Sequence, residues 1–151
     1  MLGNEAPAGA SVDRAANRIA FAGRRVHFAV LASPAGNPDE TFRAAGLVDP
    51  TIVVRRGAQV SIELVNADSD TAHGLVVSAA GAASSWMPMM AAAPAFPGSA
   101  LWFLGNPSPA RMREGSLSFT AGRPRTYQYL CPVPGHAQKR MVGTFVVEPG
   151  W

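Results

Sequence analysis

The chain has 151 residues, 48% hydrophobic and 15% charged, with a formal net charge of +3. This suits one domain with a sizeable core and excludes an intrinsically disordered chain. The basic residues come in scattered pairs (Arg24-Arg25, Arg55-Arg56, Lys139-Arg140) rather than runs, which excludes a nucleic-acid tail. A lone cysteine, Cys131, excludes an internal disulfide. It leaves a buried thiol, a nucleophile or a metal ligand. No apolar run is long enough to span a bilayer.

Residues 1–16 are rich in Ala and Gly and read as a flexible tail or linker remnant, with the folded domain over 17–151. They carry no charged and apolar regions of a signal peptide. The chain is therefore either cytosolic or a mature or excised domain. Strands are expected at 17–22 and 25–33 around a Gly23 turn. In the second, Val26, Phe28 and Val30 alternate with His27, Ala29 and Leu31. Residues 33–40 form a loop by composition. The stretches 47–56 and 58–66 read as a strand pair around Arg56-Gly57, followed by a turn cluster at 66–71 and a short apolar strand at 73–78.

Residues 79–114 break this rhythm, being rich in Met, Pro, Gly and Ala. They read as an irregular excursion with one short helix near 89–93. Strand patterns return at 116–120, 125–130 and 143–148. Many short strands with Gly and Pro turns, and no long amphipathic helix, indicate an all-β sandwich or barrel. Trp86, Trp102, Tyr127 and Tyr129 read as core.

The chemistry concentrates in Cys131-Pro132-Val133-Pro134-Gly135-His136 and, five residues on, Met141, a C-x4-H-x4-M spacing. A thiolate, an imidazole and a thioether in one tight loop make three quarters of a mononuclear copper site. A His2Cys set with a weak axial Met is the signature of blue-copper electron transfer. The prolines lock φ and Gly135 permits the turn. His73 supplies the second imidazole. Its rival His27 sits mid-strand beside arginines and reads as an ordinary sheet histidine.

The run from Tyr127 to Gly143 resembles the copper loop of the cupredoxins, and most closely the rusticyanin-like group, which shares the C-x-x-P-G-H-A-x-x-x-M layout. Residues 50–65 resemble the strand pair before the first histidine ligand, and Ala72-His73-Gly74 falls where that ligand belongs. Met87-Pro88 and the stretch after it resemble the group's insertion. The resemblance implies a Greek-key β-sandwich holding one type 1 copper, with His73, Cys131 and His136 equatorial and Met141 axial. It also implies a monomeric periplasmic or extracytoplasmic carrier of single electrons. Its partners would be redox proteins such as c-type cytochromes or a terminal oxidase. Three positions depart from the pattern. Gly74 stands where Asn or Ser often braces the loop, and Lys139 and Arg140 stand where small neutral residues are common.

Other functions fit less well. A copper oxidase or nitrite reductase needs more histidines than the three present, and a dinuclear copper centre needs a second cysteine. Copper delivery through Met87, Met89 and Met90, or a role as the electron-transfer domain of a larger membrane-anchored oxidoreductase, are the alternatives. A cysteine nucleophile is disfavoured by the prolines and by the lack of an acid or amide partner. Because Pro132 and Pro134 offer no N–H to the sulfur, a relatively high reduction potential is expected.

Overall fold

The computed structural model describes residues 7–32, 41–66, 73–79, 94–104, 113–132 and 141–149, without the side chains of 102–104 and 113. The described residues form strands and turns with no helix. In chain order the strands are β1 (Ala10–Asp13), β2 (Arg18–Phe21), β3 (Arg25–Ala32), β4 (Phe42–Ala44), β5 (Leu47–Val48) and β6 (Thr51–Arg55). They continue as β7 (Ala58–Asn66), β8 (His73–Ala79), β9 (Ala100–Leu104), β10 (Arg113–Ala121), β11 (Arg125–Leu130) and β12 (Val142–Glu148).

The strands make two mixed sheets. One has seven strands in the order β1-β2-β6-β12-β11-β8-β9, the other five in the order β10-β7-β3-β4-β5. Strands distant in sequence lie side by side, as in a Greek-key sandwich. Period-2 patterning supplies the inner faces. In β3, Val26, Phe28, Val30 and Ala32 are buried while Arg25 and His27 are exposed. The strand beside it, β7, buries Val60, Ile62 and Leu64, and the two run parallel from Arg25↔Gln59 to Ala32↔Asn66.

Aromatic side chains fill the space between the sheets. Phe96 stacks on Phe119 at 5.4 Å between ring centroids and tilts against Tyr127 at 5.0 Å. Phe119 in turn meets Phe145 at 5.8 Å. The Tyr127 hydroxyl donates to the Arg123 carbonyl at 2.9 Å, closing the corner that feeds β11. The expected core roles of Tyr127 and Tyr129 hold, each being less than one tenth exposed, and Phe96 joins them in the core. Trp86, the Trp102 side chain and the helix expected near 89–93 lie outside the described residues.

Four local expectations change. First, the sheet reaches back into the stretch read as a tail. Ala10–Asp13 pairs antiparallel with β2, across a turn closed by Ala16 N–H donating to Asp13 Oδ1 at 3.1 Å. Second, β6 and β7 are not a hairpin. Arg56 N–H donates to Glu148 in the seven-stranded sheet at 2.8 Å, and Gly57 N–H to Ala121 in the five-stranded sheet at 2.7 Å. Gly57 manages this crossing at φ 87°. Third, the segment 47–56 splits at Asp49-Pro50, and β4, too short to show a period, pairs with β5 through Ala45-Gly46. Both turn residues are left-handed, at φ 49° and 79°, as a two-residue hairpin with primed geometry requires. Fourth, the irregular excursion contains β9, an apolar run with no alternation, which pairs with β8.

Candidate metal centre

Strand β11 faces β12 in an antiparallel ladder whose inward rungs are Tyr127↔Phe145 and Tyr129↔Gly143. The Cys131 N–H donates to the Met141 carbonyl at 3.2 Å and carries the ladder one rung further, past both strand ends. The two sulfur side chains therefore leave one end of one sheet together. Both are fully buried, at 0% exposure. Pro132, also buried, follows directly and brings no N–H to that end.

His73 opens β8, the other neighbour of β11. Antiparallel pairing from Tyr127↔Ala79 to Leu130↔Val76 points the start of β8 toward Cys131. The register against β9 shifts between His73 and Leu75, an irregularity of the kind that re-aims side chains beside functional sites. The result is a Cys131 Sγ to His73 Nδ1 separation of 3.8 Å, with His73 at 0% exposure. A metal bound to a thiolate at about 2.3 Å and to an imidazole at about 2.0 Å can bridge up to about 4.3 Å. One ion can thus touch both atoms.

Met141 adds a third buried soft donor to this end. Soft sulfur with imidazole nitrogen is a set suited to copper, and among the described residues no carboxylate joins it. Among the described residues no group of three or more His, Cys, Asp or Glu converges. That fits a site in which one donor is a thioether and another, His136, lies outside the described residues. Lys139, Arg140, Pro134, Gly135, Met87, Met89 and Met90 also lie outside them. His27 is exposed on the outer face of the five-stranded sheet, on the strand paired with Ser61, and is not brought to the site.

Sequence reasoning treated Tyr129 as plain core and missed its place in the site. It is buried beside Phe42, 5.6 Å away, and its hydroxyl donates to the Pro50 carbonyl. Burial, and then the nearby Asp49 carboxylate, push the phenol pKa well up, so this donor keeps its proton. Asp49 Oδ1 accepts from Phe42 N–H at 2.8 Å, and burial pushes the Asp49 carboxyl up to about 6 against that bond. No spacing rule links residues 42, 49 and 129, so nothing in the sequence signalled the group. Asn66, fully buried at the end of β7, also went unnoticed.

No protein-family model matches the chain. The chain is 28% identical over 134 residues to rusticyanin of Acidithiobacillus ferrooxidans, covering 86% of this chain and 67% of that protein. Identity and coverage are the same for rusticyanin of Acidithiobacillus ferridurans. Among solved structures, rusticyanin from Thiobacillus ferrooxidans superposes with a TM-score of 0.80 at 22% identity, over 93% of this chain and 86% of that one. Reduced rusticyanin superposes at 0.79, with 23% identity and coverage of 95% and 90%. In sequence the chain is similar to the rusticyanins, and its two sheets match the cupredoxin β-sandwich fold of their solved structures.

Proposed function

We propose that this protein is a one-electron carrier built around a single type 1 copper, held by His73, Cys131, His136 and Met141. The observation that carries the reading is the 3.8 Å approach of His73 Nδ1 to Cys131 Sγ, fully buried, with Met141 opposite Cys131 on the same ladder rung. When bound, copper supplies a couple that passes between Cu(I) and Cu(II). The chain's own part is to hold the donors nearly still, so that little reorganises when the charge changes. The sandwich end does this by fixing the sulfurs on one antiparallel ladder and the imidazole on the next strand. Burial at 0% exposure keeps water from Cys131 and Met141.

The name of one solved relative, the copper protein rusticyanin, supports the metal. The carrier works outside the cytoplasm as a monomer, exchanging electrons with redox proteins such as a c-type cytochrome or a terminal oxidase. Among the described residues no helix is long and apolar enough to cross a membrane. The absence of a donor N–H at Pro132 favours a reduction potential in the upper part of the blue-copper range, which redox titration reads directly. The test of the reading itself is the visible and electron paramagnetic resonance spectrum with one equivalent of Cu(II). An intense thiolate charge-transfer band and narrow copper hyperfine splitting are expected, and Cys131→Ser removes both. A pale spectrum indifferent to Cys131→Ser overturns the reading and favours copper handling by the methionines.

A further inference from the structure

Three successive inward rungs of the β11–β12 ladder are Tyr127 with Phe145, Tyr129 with Gly143, and Cys131 with Met141. The middle rung has a side chain on one strand only. A Cβ on Gly143 would overlap the Tyr129 ring at Cζ and Oη, so the ring occupies the space that a side chain at 143 would take. Gly143 has no positive φ to explain it, unlike Gly57 or Gly98. Its need is for the close approach of an aromatic ring, a pairing that also stabilises glycine within a sheet.

The ring is held at its far end as well. Its hydroxyl donates to Pro50 O, in the connection from β5 to β6, where the chain passes from the five-stranded to the seven-stranded sheet. Phe42, from the five-stranded sheet, packs on its side. Tyr129 therefore ties the ladder that ends in the two sulfur residues to the opposite sheet, one rung before those residues. Displacing the ring pushes on the Cys131–Met141 rung or pulls the ring from Pro50.

We propose that Tyr129 and Gly143 are a positioning pair that fixes the separation and burial of the Cys131 and Met141 side chains. This rests on the metal reading only for its spectroscopic consequence, since the packing holds with or without an ion.

The test uses the full chain in two states. In the metal-free protein, well below the melting temperature, Cys131 is alkylated with iodoacetamide. In the protein given one equivalent of Cu(II), the ratio of the thiolate charge-transfer bands is read. Gly143→Ala raises the alkylation rate roughly tenfold by opening the buried end locally, and changes the band ratio. Tyr129→Phe keeps the ring and drops the bond to Pro50, giving a smaller change of the same kind; it serves also where Gly143→Ala does not fold. In a Tyr129→Leu background, Gly143→Ala adds nothing further, because the overlap is gone. The control is Gly98→Ala. Gly98 has φ 84°, and a Cβ there overlaps the Ser118 carbonyl of β10, so that variant is strained outside the ladder. It lowers stability and leaves alkylation rate and band ratio at wild-type values.

Wild-type alkylation and band ratio in both Gly143→Ala and Tyr129→Phe overturn the proposal while leaving a blue wild-type spectrum, and hence the copper reading, intact. Equal changes in Gly98→Ala overturn it too. A wild type without the band, with faster alkylation confined to Gly143→Ala and Tyr129→Phe, removes the copper reading and supports the pair.

Discussion

Two strand histidines of this protein live in opposite settings. His73 sits at the end of β8, at 0% exposure, 3.8 Å from a thiol sulfur. His27 sits in the middle of β3 with its ring in solvent, next to Ser61 on β7 and beside a shallow groove reaching to Ser118 on β10. Both are strand residues flanked by apolar neighbours. The difference lies in which side of the pleat each occupies and in what lies across from it. A strand end that faces inward, beside a ladder whose rungs end in sulfur, sets an imidazole against a thiol. A mid-strand position that faces outward, over small polar neighbours, makes a surface.

The strongest way to break that contrast is to remove each imidazole in turn. His73→Ala lowers copper affinity by at least about 100-fold, more than loss of an outer-shell partner costs, whereas His27→Ala leaves it unchanged. Competition with a Cu(I) chelator measures both. Equal affinities in the two variants would return His73 to the status of a core histidine.

Next in size is the contrast between the inner stripe and the outer face as sources of stability. Phe145 is 1% exposed and meets Phe119 across the core, so Phe145→Ala costs about 3–5 kcal/mol. Ser118, on the outer face opposite Ser61, changes stability by less than about 0.5 kcal/mol when replaced by Ala. Urea unfolding resolves the two.

The smallest effect concerns pH. Burial raises the Asp49 carboxyl from 3.8 in the open chain to about 6 in the fold, so folding favours its protonated form. The stability this gives is complete below about pH 4 and is lost as the pH rises through about 6. Asp49→Asn keeps the acceptor for Phe42 N–H and fixes the side chain neutral. Because the carboxyl is partly exposed and screened, the variant exceeds wild type by about 1 kcal/mol at pH 7 and matches it near pH 4. Unfolding curves across that range that stay parallel would contradict the assignment.

Much of this arrangement was legible in the residues. Alternation marked β3 and β7 with their buried faces, and the spacing from Cys131 to Met141 named the ladder end where the two sulfurs meet. His73 was the favoured candidate because a fourth donor was needed and His27 sat mid-strand beside arginines. Sheet membership was not legible. Strand β7 alternates over most of its length while β6 buries Ile52, Val53 and Val54 in a row, and neither pattern tells whether the next strand pairs with it or packs across from it. Short strands such as β4 have no period to read. The unalternating run of β9 sits among prolines and glycines that mimic a loop. The Tyr129, Pro50 and Gly143 cluster joins residues distant in sequence through a ring and a missing Cβ, and neither leaves a trace in composition.

The ladder that pairs Cys131 with Met141 has a consequence for the order of assembly. The two sulfurs are ten residues apart in the chain, while His73 must come from 58 residues away. By loop-closure entropy the longer link costs about 1.5 kcal/mol more than the shorter. The sulfur half of the site is therefore a local event, complete once β11 and β12 zip together. The imidazole half waits for β8 to dock, and the site closes only when the sheet does.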